Sequence, residues 1–200
     1  MQLRPTPTQS VSNAPPMNFQ TATAERVASI SQRALLMYWQ RLAAGRPYPA
    51  PAEFNPGERM HDPKQLVIWQ VEHDGGKRRF RAQRQGAHVA EVFGGSWAGK
   101  TMEEVVPPFA LAFVLHSAEA CARTGRAVYT IFRTRDAQDR SIDCERLLLP
   151  LGSGGTVEQI VASLQLISLQ GEFRRDTVLE AFDANIDVAF AGVIGGGGRR

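Results

Sequence analysis

Three β-rich runs follow one another so closely in the second half of the chain that only one kind of pairing is open to them. They are AVYTIFRTR (Ala127–Arg135), SIDCERLLLPL (Ser141–Leu151) and VEQIVASLQLIS (Val157–Ser168). The connections between them, Asp136–Arg140 and Gly152–Thr156, are short and polar or Gly-rich. Parallel neighbours need a crossover of about a dozen residues or more, whereas antiparallel neighbours need only a tight turn. The three runs are therefore expected as adjacent antiparallel strands.

The first half supplies two more strands and most of the helices. LVIWQVEH (Leu66–His73) is β-branched and aromatic, with Val67, Trp69 and Val71 on one face. Asp74-Gly75-Gly76 offers positive-φ turn residues, and KRRFRAQR then alternates Phe80 and Ala82 against arginines and Gln83. This reads as a hairpin with one wet face. Upstream, Ala24–Ala44 has helical apolar spacing, with Thr21 or Thr23 as cap and Gly45 as stop. Between the strand groups lie short helical pieces at Ala87–Val92 and Met102–Val106. A longer helix over Phe109–Arg123 follows, opened by Pro107-Pro108 and ended by Gly125.

The order is helix, two strands, helical insert, three strands. It predicts an α+β fold: a five-stranded antiparallel sheet with helices on one face plus an N-terminal helix. Residues 1–20, rich in Pro, Gln, Ser and Thr, are expected as a disordered tail, because they cannot bury enough apolar surface to offset their ordering entropy. Residues 21–56 form the N-terminal helix and a Pro-rich linker, and 57–170 the main domain. In 171–200 a last helix over Phe173–Asn185 and a flexible Gly-rich end are expected.

Composition narrows the function classes. The net charge of +3 comes from 23 basic and 20 acidic residues. Arg79, Arg81 and Arg84 are near one another but no aromatic-interleaved basic stripe accompanies them, so they read as a solvated strand face, and no nucleic-acid partner is expected. No apolar run approaches the roughly 18 residues that suggest a membrane span. There is no apolar segment of a secretory signal near the N-terminus, and the expected location is cytoplasmic. Cys121 and Cys144 have no metal-ligand spacing and read as buried thiols of a reducing compartment. Neither a G-x-S-x-G elbow nor a paired-carboxylate constellation is present, so no enzyme is expected.

One motif argues the other way. Gly94-x-x-x-x-Gly99-Lys100-Thr101 matches the phosphate-loop pattern letter for letter. A working phosphate loop joins a buried parallel strand to a long helix and relies on a second magnesium anchor elsewhere. Here AHVAEVF precedes the loop, with His88 and Glu91 in it. Pro107-Pro108 cuts short the helix that follows, and no apolar run ends in a suitable Asp. A nucleotide-binding enzyme through Lys100 is thus the weaker reading. Gly99 is expected to turn the chain and Thr101 to cap Met102–Val106, with Glu104 as the acid three residues on.

The whole text resembles a known family. LLMYWQRLAAGRPYPAPAEFNP (Leu35–Pro56), GAHVAEVFGGSWAGKTMEEV (Gly86–Val105) and CERLLLPLGSGG (Cys144–Gly155) are similar to a single-domain group of PAS proteins found largely in alphaproteobacteria. The resemblance covers about Ala34 to Ile167, and RFRAQRQG departs from it by being more cationic. It implies a PAS fold with a cavity between sheet and helices, drawing here on Phe80, Phe109, Phe113, His116, Phe132 and Leu148. It implies a sensory or interaction module in bacterial signalling that binds a small apolar ligand and acts through a homodimer or a signalling partner. No cofactor or metal is required by this reading. Its rival is a haem or gas sensor in which His116 ligates the iron. The homodimer is expected to pack through Val27, Ile30 and Ala34 of the first helix.

Overall fold

The computed structural model describes residues 17–55, 63–135, 140–168 and 187–195. The three strands of the opening argument are β4 (Val128–Arg135), β5 (Ser141–Ser153) and β6 (Thr156–Ser168), paired antiparallel in sequence order. The upstream hairpin is β2 (Leu66–Asp74) with β3 (Lys77–Gln85), and β2 pairs antiparallel with β6. Both two-residue hairpin loops are Gly-Gly with positive φ throughout: Gly75 and Gly76 at 56° and 81°, Gly154 and Gly155 at 57° and 82°. Those are the angles a twist-matched two-residue turn demands. Each turn sets the register next to it, and a bulge then shifts it, between Ile68 and Trp69 in the first hairpin and between Leu151 and Gly152 in the second.

The sheet has seven strands, not the expected five, in the order β1-β7-β4-β5-β6-β2-β3. The two additions are β7 (Asp187–Ile194), antiparallel to β4, and β1 (Gln20–Ala22), parallel to β7. Gln20 thus belongs to the sheet rather than to a tail, and DVAFAGVI is a strand rather than part of a loose C-terminus. Without them the outer edge of β4 would present unpaired backbone groups, a template for stray association. The expected helix over Phe173–Asn185 falls outside the described residues, as do 1–16 and 196–200.

Helices cover both faces. Helix α1 (Ile30–Ala43) packs on one; α2 (Ala87–Val92), α3 (Met102–Val105) and α4 (Pro108–Thr124) lie over the other. The period of two along β5 separates the faces. Cys144, Arg146 and Leu148 turn toward α2–α4, while Glu145, Leu147 and Leu149 turn toward α1.

Helix α1 starts later than its apolar spacing suggests. Ser29 is its N-cap and accepts the Gln32 N–H at 3.4 Å; residues 24–26 form a separate 3-10 turn. Val27 sits between the two and is fully buried, with its carbonyl oxygen held by the Arg33 guanidinium at 2.9 and 3.1 Å. Burial of Val27 and capping by Ser29 together outweigh the helical propensity of the preceding residues. Helix α4 has Pro108 at its first positions and ends on Gly125 at φ 62°, as its sequence signals demand.

Buried polar contacts fix α1 to the sheet. Gln32 Nε2 donates to the carbonyl oxygens of Ser163 at 3.0 Å and Glu145 at 3.3 Å, and Trp39 Nε1–H donates to Pro150 O at 2.8 Å. The Glu145 carboxylate accepts the Ser29 N–H at 3.2 Å, and the Tyr129 hydroxyl oxygen accepts the Ala28 N–H at 3.3 Å. Leu35, Leu36 and Trp39 fill the apolar space among these bonds. Each such side chain contributes roughly 1.5–3 kcal/mol by leaving water.

Candidate functional site: a cavity between sheet and helices

The face of the sheet under α2–α4 does not close completely. It leaves a cavity of about 70 Å³. The sheet provides Val67 and Trp69 from β2, Phe132 from β4, Leu148 from β5 and Leu164 from β6. Helices and loop supply the opposite wall, including Trp97, Met102 and Val114. Nearly all of this lining is apolar.

One lining residue is not. Arg146 is only 5% exposed, and its Nε and Nη2 meet no hydrogen-bond partner among the described residues. Its guanidinium carbon lies 5.4 Å from the centroid of the Phe113 ring. Burial pushes the guanidinium below its ordinary range to about 10, which leaves it charged at neutral pH. The titratable groups whose ionisation would act on it are the Cys144 and Cys121 thiols. Both thiols are free and buried, and burial raises both, Cys144 to about 12. They are neutral at pH 7 and give the arginine no counter-charge.

The sequence-expected cavity residues are placed as follows. Phe132 and Leu148 line the cavity. Phe80 is fully buried in the main core and is not part of the wall. Phe113 belongs to a small satellite cluster with Phe132 and Cys144, its ring edge-on to Phe132 at 5.7 Å. His116 is exposed on α4 and absent from the lining, because the helix turns that position away from the sheet. The Phe109 side chain lies outside the described residues. Arg146 was missed by sequence reasoning although a signal for it existed: the alternation that faces Leu148 to the cavity also faces Arg146 there.

The Gly94–Thr101 loop serves this cavity. It leads out of a helix, α2, not a parallel strand, and into a helix of four residues, α3. Four of its amides are already committed: Gly95 to Ala90 O, Trp97 to Gln85 Oε1, Gly99 to Ala82 O and Lys100 to Trp97 O, at 2.6–3.0 Å. Thr101 N–H donates to the Glu104 carboxylate at 2.7 Å, the expected cap contact. The Lys100 carbonyl accepts from Ala82 N–H, while its side chain is exposed. These amides cannot also cradle phosphates. What the loop delivers is Trp97, which is buried against Phe93 and Trp69 with ring centroids 5.1 and 5.8 Å away.

The expected homodimer residues do not share one environment. Val27 is enclosed in the chain's own core and has no surface to offer a partner. Ile30 is 83% exposed, and Ala34 and the exposed Met37 follow it one and two turns along α1. On the sheet's other edge Arg79 and Arg81 of β3 are engaged locally. Arg81 holds Glu72 through Nε and Nη2 at 2.8 and 3.2 Å and reaches Gly99 O at 2.7 Å; Arg79 meets Asp74 at 3.4 Å.

No helix among the described residues is long and apolar enough to cross a membrane. No group of metal-ligating side chains is found among those residues either.

No curated protein matches the sequence. Among solved structures, the chain is similar to a variant of RsLOV at 14% identity and a TM-score of 0.35, over 56% of this chain and 65% of that one. It is also similar to an RNA-binding light-oxygen-voltage receptor at 16% identity and a TM-score of 0.35, over 57% of this chain and 32% of that one. The chain therefore spans less than two thirds of either. A family model described as a PAS domain matches residues 27–165, from the buried Val27 into β6. With most of its length covered by that match, the chain belongs to the PAS domain family.

Proposed function

We propose that this PAS domain is a non-enzymatic sensory module in bacterial signalling that takes a small ligand into the cavity between sheet and helices. It signals by altering a surface that meets a second copy or a signalling partner. The observation that carries this reading is the cavity itself, walled by Trp97 and Met102 opposite Leu148 and Phe132. Proteins otherwise fill their interiors to crystal-like density, so an unfilled apolar space at the centre of a sensory fold is a binding feature. The surface is assigned to the outer stripe of α1, Ile30, Ala34 and Met37. The inner stripe of the same helix touches the sheet, so a change in the sheet moves the outer one.

Native mass spectrometry of freshly purified full chain tests both parts. The expected spectrum contains a dimer and a mass increment from a bound small molecule. Ile30→Asp is expected to shift the dimer to monomer without unfolding it, since Ile30 makes little contact with the core. A concentration-independent monomer in light scattering removes the dimer. A cavity that takes up no small molecule from a broad ligand screen removes the sensory reading.

A further inference from the structure

Among the described residues the cavity has a single charged lining residue, and two of that residue's three guanidinium nitrogens, Nε and Nη2, have no hydrogen-bond partner. Burying a cation without a counter-charge costs several kcal/mol, and proteins ordinarily pair such groups or leave them in water. Arg146 is exempt from neither rule, yet Nε and Nη2 are both orphaned. These two donors form one edge of the guanidinium plane. The protein uses that same edge twice elsewhere, each time for a carboxylate. Arg81 grips Glu72 through Nε and Nη2, and Arg133 grips Asp143 through Nε and Nη2 at 2.7 and 3.1 Å. Two parallel N–H donors at fixed spacing match the two oxygens of a carboxylate.

We propose that Arg146 is the anchor of a carboxylate subsite, and that the ligand of this cavity is a small apolar monocarboxylate. The inference rests on the cavity being a ligand site and specifies which chemical class fills it. The acid group lies against the Nε/Nη2 edge of Arg146. The hydrocarbon part lies among Trp97, Met102, Leu148 and Leu164. Phe113 supports the guanidinium from its ring face and holds it at the cavity when no acid is bound. The size of the space favours an acid of a few heavy atoms over a long chain. A neutral ligand would leave the charge uncompensated, so the site discriminates by charge as well as by shape.

The test uses butyrate and its near-isosteric amide, butyramide, titrated into the full chain and followed by the Arg146 Nε–H and Trp97 indole N–H resonances. The expected result is saturable shifts with butyrate and binding of butyramide weaker by about tenfold or more, the ratio set by one charge-assisted contact. Arg146→Met is expected to abolish that preference, and Arg146→Lys to keep only part of it, because an ammonium cannot present the two-donor edge. The comparison of acid and amide on the unaltered chain stands even if a variant fails to fold. Equal or tighter binding of butyramide overturns the carboxylate subsite while leaving the cavity a ligand site. Absence of binding by either compound at tens of millimolar, together with a negative broad screen, overturns both. Butyrate binding that survives Arg146→Met unchanged also overturns the assignment.

Discussion

Gln32 on α1 and Ser163 on β6 are joined by a fully buried hydrogen bond, Nε2 to carbonyl oxygen at 3.0 Å, with a second from Nε2 to Ser163 Oγ at 3.3 Å. This contact fastens the helix that bears the exposed stripe to a strand whose neighbouring residues, Ala162 and Leu164, line the cavity on the opposite face. Helix and cavity are thus two sides of one strand.

Gln32→Leu removes the donor to the Ser163 and Glu145 carbonyl oxygens in a dry environment. The expected loss is about 1–2 kcal/mol, tempered because Gln32 Oε1 is itself unpartnered and its burial cost disappears too. Urea unfolding is expected to show a lower midpoint with an unchanged slope. An unaltered midpoint would show that the apolar contacts of Leu35, Leu36 and Trp39 alone fix α1.

Trp97→Ala opens the cavity wall and removes the ring contacts to Trp69 and Phe93. Truncation of a buried tryptophan costs about 3–5 kcal/mol in a packed core. The expected cost here is toward the lower end, because one side of the indole already faces free space. Thermal unfolding measures it, and the midpoint is expected to fall by several degrees. A stability equal to that of the unaltered chain would mean that the loop does not hold Trp97 in the core.

The Glu104 carboxyl sits below its ordinary value of 4.5, chiefly through the Thr101 backbone N–H, then the Thr101 side chain, with Arg81 and Lys100 adding positive charge. A carboxyl lowered by folding contributes stability that is complete above the unfolded value and is lost as pH falls through the folded one. Glu104→Gln is therefore expected to destabilise the chain at pH 7 and to flatten the decline of stability below about pH 4.5. Unfolding midpoints measured from pH 7 to pH 3 check this. A decline of the same steepness in the variant would assign the acid sensitivity to other carboxylates, such as Glu72 beside Arg81.

Lys100→Ala is expected to leave stability within about 0.5 kcal/mol, as for an exposed side chain away from special contacts. Calorimetric titration of the unaltered chain with Mg-ATP is expected to show no saturable binding at millimolar concentration. Saturable binding that disappears in Lys100→Ala would restore the phosphate-loop reading despite the committed amides.

The sequence by itself determined what short-range chemistry controls. Gly75-Gly76 and the Gly-rich Gly152–Thr156 connection allow tight turns, so the antiparallel pairing of β2 with β3 and of β5 with β6 was legible. Pro108 and Gly125 bounded α4, and Thr101 with Glu104 identified the loop as a cap, not a nucleotide site. The family resemblance implied Phe132 and Leu148 as cavity residues, and both line it. Tertiary structure alone decided the rest, because each remaining feature depends on partners far away in the chain. DVAFAGVI becomes a strand only because β4 offers it an edge, and Gln20–Ala22 only because β7 then does. Val27, read as surface, is drawn into the core by the break before Ser29. His116, read as cavity-facing, is rotated to solvent by the way α4 lies on the sheet. Arg146 carries the largest difference: its position on the inner face followed from alternation, but its isolation there did not. Whether a buried charge finds a partner is settled by every element packed around it, and no local pattern contains that information.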